Sequence, residues 1–231
     1  MPGCTANPTP NHPLVLASGS PRRRDFFRLL GLTFVVDAAD VDEEGIRADT
    51  PGELVAALGQ AKARVVAARH SEALVVGADT IVVLDGEVLG KPGSAARALD
   101  MLRQLRGRTH SVFSGVTAIH PERGEATEWT ESVVTMRAYT DAEMRAYVDS
   151  GDPLDKAGAY AIQHEGFHPV ESMAGCYASV MGFPLCHLAR TLWRVGQRLE
   201  ADVPSLCRAE TGYPCEVYPR SWPGLHPPIC G

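Results

Sequence analysis

The feature that most constrains this chain is a short apolar run, Leu14-Val15-Leu16-Ala17. It stops at Ser18-Gly19-Ser20-Pro21, and apolar residues at helical spacing follow at once as far as Leu30. Four consecutive apolar residues bounded by turn formers suit a strand buried on both faces. Pro21 fits the first turn of a helix, Ser20 its N-cap and Gly31 its end. A buried strand feeding directly into a helix is a building unit of α/β sheets.

The alternation continues. Residues 33–36 predict a second strand. Thr50-Pro51 opens a helix with Leu54, Val55, Leu58, Ala61, Val65 and Val66 on its apolar face. Residues 73–76 predict a strand ending at Gly77-Ala78-Asp79-Thr80. Residues 81–84 and 87–89 predict a hairpin around Asp85-Gly86. Residues 94–105 predict a helix, 111–119 and 127–138 two long strands, and 141–150 a helix capped by Thr140. Short strands are expected at 160–163 and 179–181, and a closing helix at 185–199. The class is α/β with a mixed sheet. After about residue 200 come Pro204, Pro214, Pro219, Pro223, Pro227 and Pro228 with three cysteines, and no periodic element is expected. The expected organisation is one domain over residues 13–202 and a tail over 203–231, with residues 1–12 and the tail dispensable for turnover.

At 231 residues the chain suffices for one sizeable domain. Its 22 Lys plus Arg against 28 Asp plus Glu give a net charge of −6. That argues against general nucleic-acid or anionic-membrane binding, which needs a broad positive field. A local basic cluster can still hold a small anion. No apolar run is long enough to span a bilayer. Residues 1–13 contain Pro8, Pro10 and Pro13 and no basic residue, which matches neither a signal nor a transit peptide, so a cytoplasmic location is expected. The cysteines, Cys4, Cys176, Cys186, Cys207, Cys215 and Cys230, have no zinc-knuckle or redox spacing.

Several residues carry candidate chemistry. A helix N-terminus offers free N–H groups and a positive dipole end to phosphate. At the first strand–helix junction, Ser18 and Ser20 add hydroxyls, and Arg22 and Arg23 add bidentate donors. The ordinary reading is a capped helix with a solvated basic turn. Asp79, where a buried strand is expected to stop, can hold a divalent cation or deprotonate a water; alone, it is a turn aspartate. Glu43 lies in an acidic loop, Lys62 on an otherwise apolar helix face, and Lys91 before Pro92. Each has an ordinary solvated reading. Together they make the set that phosphoanhydride hydrolysis needs: metal ligand, base and positive charge. Two look-alikes fail. His164-Glu165-Gly166-Phe167-His168 matches the zinc-protease pattern but is not expected to be helical, and Leu89-Gly90-Lys91-Pro92 lacks the flanking residues of a P-loop.

Residues 16–23, Leu-Ala-Ser-Gly-Ser-Pro-Arg-Arg, resemble the opening signature of the Maf family. So do Val41-Asp42-Glu43, Lys62-Ala63, Gly77-Ala78-Asp79-Thr80, Gly90-Lys91-Pro92, His110-Ser111-Val112, Ser114-Gly115-Val116 and Asp155-Lys156-Ala157-Gly158-Ala159-Tyr160, in the family's order across residues 14–198. The resemblance implies a twisted mixed sheet with flanking helices, in two lobes around a deep cleft, similar to inosine triphosphate pyrophosphatases. It implies hydrolysis of nucleoside triphosphates to the monophosphate and pyrophosphate with a divalent cation, Mg²⁺ or Mn²⁺. Thr80 and Gln163 resemble the members acting on dTTP and UTP rather than the sister group acting on 7-methyl-GTP. By resemblance Asp79 is the proton acceptor, Glu43 and Asp79 are metal ligands, and Lys62 and Lys91 are catalytic. Ser18, Arg22, Arg23, Thr80 and Gln163 bind or select the substrate. A homodimer is compatible with this reading. The alternatives are a nucleotide-binding regulator of septum formation with little turnover, and a 7-methyl-GTP pyrophosphatase. Ala61 and Ala161 depart from residues usual in the family, as does Ala178 in the 176–184 stretch.

Overall fold

The computed structural model describes residues 12–215 and Val217. In chain order its elements are β1 (Leu14–Leu16), α1 (Pro21–Leu29), β2 (Val35–Val36), α2 (Pro51–Ala67), β3 (Leu74–Leu84), β4 (Glu87–Leu89) and α3 (Ala95–Leu105). β5 (Thr109–His120), β6 (Gly124–Met136), α4 (Asp141–Asp149), β7 (Val170–Ala174), α5 (Tyr177–Val180), α6 (Leu185–Arg194) and α7 (Val203–Thr211) follow. The seven strands form one mixed sheet in the order β2-β1-β3-β5-β6-β7, with β4 also paired to β3. Capping boxes start α2 and α4: the Thr50 and Thr140 hydroxyls accept from the N–H groups of Glu53 and Glu143, whose carboxylates reach back to the caps.

β3 is the axis of the sheet. On one edge it pairs antiparallel with β5 from Val75 to Val83. The other edge is shared. β1 runs parallel to residues 74–76, and β4 antiparallel to residues 82–84. Between them the β3 edge has no strand partner. The sheet's faces follow from the two-residue period of a strand. Val75, Ile81 and Val83 pack with Val55, Leu58, Ala63 and Val66 of α2. Leu74, Val76 and Ala78 enter a core with Phe27 of α1 and Leu188 of α6, whereas Val82 and Leu84 enter a second core with Leu102 of α3 and Met144 of α4.

α2 lies unusually close to the sheet. A Cβ on Gly77 would meet the Gly59 carbonyl oxygen at 2.6 Å and the Ala63 nitrogen at 2.7 Å. A Cβ on Gly115, opposite Asp79 in β5, would meet the Val55 carbonyl oxygen at 2.8 Å. Side-chain-free positions on both strands therefore let helix and sheet backbones touch.

Three expectations differ from the structure. β3 does not end at Gly77: it runs through Asp79 to Leu84, because β5 pairs along its whole length. Residues 160–163 and 179–181 are not strands. Gly158 and Ala159 take φ of 67° and 58°, which turns the chain before Tyr160. The apolar run near Ser179 forms the short helix α5, an ambiguity inherent in short apolar runs. The strand in this region is β7, which pairs with β6. Finally, residues 203–211 of the tail form α7. Pro204 sits in its first turn, where proline is tolerated, and the Asp202 carboxylate caps the Ser205 N–H at 3.2 Å. Val203 and Cys207 are buried in the same core as Cys176 and Cys186, where burial pushes the Cys207 thiol up to about 12. Residues 218–231 and Cys230 lie outside the described residues.

Two outcomes follow from this packing. Gly77→Ala forces backbone against backbone and is expected to cost about 2–3 kcal/mol in urea unfolding, the upper range for overpacking. Ending the chain at residue 202 removes Val203 and Cys207 from the core and is expected to cost about 3 kcal/mol, at roughly 1.5–3 kcal/mol per buried apolar side chain. A melting temperature unchanged from that of a chain ending at residue 217 would show α7 to be an unneeded appendage.

Candidate active site

The unpaired stretch of β3 opens into a cleft of about 480 Å³. Both neighbouring strands run toward it. β1 ends opposite Val76, and its continuation delivers Ser18, Arg22 and Arg23; β4 ends opposite Val82, and its continuation delivers Lys91. Glu43, Lys62, Asp79, Thr80 and Gln163 line the same cleft. All nine residues expected at the site are thus brought together, from segments up to 145 residues apart (Ser18 to Gln163).

Lys62 lies one helical turn after Gly59, where α2 approaches β3. Its Nζ donates to Asp79 Oδ1 at 2.5 Å and pairs with Glu43 Oε1 at 2.8 Å. The Lys62 and Asp79 side chains are 14% and 11% exposed, whereas Glu43 is 53% exposed. The pair is therefore held inside the cleft and Glu43 at its rim.

Arg23 is buried, and its guanidinium is committed. Nε donates to the Gly182 carbonyl at 2.9 Å, Nη1 to the Ala78 carbonyl at 2.8 Å and Ser18 Oγ at 3.1 Å, and Nη2 to Thr80 Oγ1 at 3.4 Å. Burial lowers its pKa while Asp79 opposes the change. The Ala78 carbonyl is available because the β3 edge lacks a strand there. Ser20 stands at the N-cap of α1, but its side chain makes no capping bond. Arg22 has its pKa lowered by burial, against the raising influence of Asp155 and Asp152.

Sequence reasoning missed several groups in the cleft and one beneath it, Ser114, which is fully buried behind Thr80. Ser114 Oγ donates to the Ser179 carbonyl at 2.6 Å and lies 2.8 Å from Thr80 Oγ1. With the Ser114 proton so placed, the Thr80 hydroxyl donates to Ser114 and accepts from Arg23, leaving one lone pair. Tyr160, Asp152, Asp155 and Lys156 also line the cleft. The run at 155–160 was visible as a motif, but no single residue in it has a distinguishing spacing. Beneath Tyr160 its hydroxyl lies 2.8 Å from His110 Nε2, and burial lowers that imidazole to about 4. His164 to His168 form turns rather than a helix, so the two histidines do not share a helix face.

Among the described residues no three His, Cys, Asp or Glu side chains are grouped to hold a metal. Glu43 and Asp79 nevertheless converge on one ammonium. Two carboxylates, completed by water and phosphate oxygens, suit a Mg²⁺-type ion, which seldom has a cage made wholly of protein.

The chain resembles known proteins across most of its length. It is 47% identical over 189 residues to the dTTP/UTP pyrophosphatase of Nitratidesulfovibrio vulgaris, covering 81% of this chain and 90% of that protein. It is 48% identical over 180 residues to that of Moorella thermoacetica, covering 78% and 93%. It is 43% identical over 213 residues to that of Thermomicrobium roseum, covering 90% and 97%. The profile of the Maf-like protein family matches residues 13–195, the span that supplies every residue of the cleft, and the chain belongs to that family.

Proposed function

We propose that this protein hydrolyses dTTP and UTP to the nucleoside monophosphate and pyrophosphate. The observation that carries the reading is the Asp79–Lys62–Glu43 group, set in a cleft beside the Ser18–Arg23 turn. The relatives named above are pyrophosphatases of these nucleotides.

In this reading the Lys62 ammonium fixes one Asp79 oxygen, and the other accepts a proton from the attacking water. The water oxygen joins the α-phosphorus, the bond from that phosphorus to the α–β bridging oxygen breaks, and diphosphate leaves with the bridging oxygen. Glu43 and Asp79 are the ligands for Mg²⁺ or Mn²⁺, which supplies charge neutralisation at phosphoryl oxygens. Ser18, Arg22 and the N-terminus of α1 hold phosphate. Arg23, four of whose five N–H donors hold Gly182, Ala78, Ser18 and Thr80, positions Ser18 and Thr80 and so helps to select the substrate. Gln163 and Thr80 read the base. The remaining Thr80 lone pair accepts from pyrimidine N3–H, and the Gln163 amide donates to O4. Cytosine presents an acceptor at N3 and a donor at N4, so it fits this pair less well.

Asp79→Asn is expected to leave the circular dichroism spectrum unchanged and lower dTTP turnover about 10²-fold or more, the usual loss when a general base is removed. Turnover near the unmutated rate would remove Asp79 as the base. In the same assay, Glu43→Gln is expected to shift the Mg²⁺ titration to higher concentration. Gln163→Ala is expected to lower the UTP rate roughly tenfold or more, because a polar site left unpaired discriminates strongly. A UTP rate insensitive to that change, or wild-type preference for 7-methyl-GTP, would overturn the base assignment.

A further inference from the structure

The side chains lining the cleft form two electrostatic groups. One is Lys62 with Asp79 and Glu43, where two carboxylates oppose one ammonium. The second gathers around Lys156, a residue without a role so far. The Lys156 side chain is only 12% exposed. Its Nζ donates to the Asp152 carbonyl at 2.5 Å and pairs with Asp155 Oδ1 at 2.9 Å and Asp152 Oδ1 at 3.0 Å.

The segment carrying Lys156 is built to stay in place. Gly158, at φ 67°, presses on β3: a Cβ there would meet Val82 at 3.0 Å. The Gly158 N–H donates to the Gly90 carbonyl at 3.1 Å, tying the segment to the loop that carries Lys91. Tyr147 Oη donates to Asp152 Oδ2 at 2.7 Å and accepts from the Ala161 N–H at 3.0 Å, holding both ends. Arg22 senses the same two carboxylates. Arg22, Lys91 and Lys156 are therefore three cations around one part of the cleft.

Lys156 resembles a structural ion pair, but one feature separates it from one. Its partner Asp155 is 73% exposed, so that pairing is screened by water and weak. A phosphoryl oxygen entering the cleft can replace it at little cost and gain a charge-assisted hydrogen bond. The group most in need of such a bond is the leaving group. As the anhydride breaks, negative charge builds on the departing diphosphate, whereas the monophosphate keeps the charge it had. Preorganised cations placed there act on the transition state.

We infer that Lys156, with Arg22 and Lys91, binds the departing diphosphate. Resting on the pyrophosphatase reading above, this assigns Lys156 as a diphosphate-binding residue and separates the cleft into a water-activating part around Asp79 and a leaving-group part around Lys156.

The test is calorimetric binding of pyrophosphate, and separately of dTMP, to the full chain in Mg²⁺, for the unmutated protein, Lys156→Met and Lys156→Arg. The expected result is pyrophosphate binding weakened about tenfold or more in Lys156→Met, dTMP binding unchanged, and recovery in Lys156→Arg. With dTTP as substrate, kcat should fall in Lys156→Met more than KM rises. Equal pyrophosphate binding by Lys156→Met and the unmutated protein would overturn the inference, as would no pyrophosphate binding by the unmutated protein. So would parallel loss of dTMP binding with a lowered melting temperature, which marks a structural ion pair. Failure of the pyrophosphatase reading shows elsewhere, as an unmutated protein that releases no pyrophosphate from dTTP.

Discussion

The contact on which this structure depends is the backbone-to-backbone approach of α2 to β3 and β5. Glycine makes it: Gly77 on β3 and Gly115 on β5 leave no side chain between the two layers, so that β3 meets the Gly59 carbonyl and β5 the Val55 carbonyl of the helix. At ordinary helix–sheet spacing side chains would intervene, and Lys62 would have room to extend to water. At this spacing its ammonium meets Asp79 within the cleft, and the rim carboxylate of Glu43 joins it. Packing and site geometry are here the same interaction, because the residues that close the layer also position Lys62 against Asp79.

The second constraint is topological. One edge of β3 is divided between two short strands that arrive from opposite directions, and neither reaches the middle. The exposed edge needs partners for its backbone groups. Arg23 supplies one by donating to the Ala78 carbonyl, and in doing so ties α1, β3 and the Gly182 turn together. The gap is also where both incoming segments must turn, so their polar turn residues collect there. This follows the general tendency of α/β sheets to gather ligands beyond strand ends. Five cationic and four carboxylate side chains line the resulting cleft, in a chain whose net charge is −6. The local excess of cations is what a triphosphate needs, and the overall charge conceals it.

How much of this was legible beforehand varied with the range of the interaction. Strand β1, the turn at Ser18 and helix α1 were readable because a single continuous segment carries their pattern. The helix starts at Thr50-Pro51 and Thr140 were of the same local kind. Asp79 was misplaced at a strand end because Gly77 and Asp79 look like turn residues; only pairing with β5 explains why the strand continues through them. α7 was missed because Pro204 and the prolines that follow it suggested an irregular tail, and the helix is stabilised by burial of Val203 and Cys207 in a core contributed by distant segments. Thr80 and Arg23 were identified as site residues, but their hydrogen-bond partners, which decide what each can still offer a ligand, come from residues far along the chain.

By itself, then, the sequence determined the α/β class, most of the element order, the family resemblance and the nine residues that meet in the cleft. Each of these is written in local periodicity, turn chemistry or short contiguous motifs. The tertiary structure alone decided that Lys62 bridges Asp79 and Glu43, that Arg23 is committed to backbone carbonyls, that β3 passes unbroken through the site, and that Lys156 stands among Arg22, Lys91 and two aspartates. These depend on how closely helices approach the sheet and on where neighbouring strands stop. Both are set by long-range packing among residues that no local pattern connects.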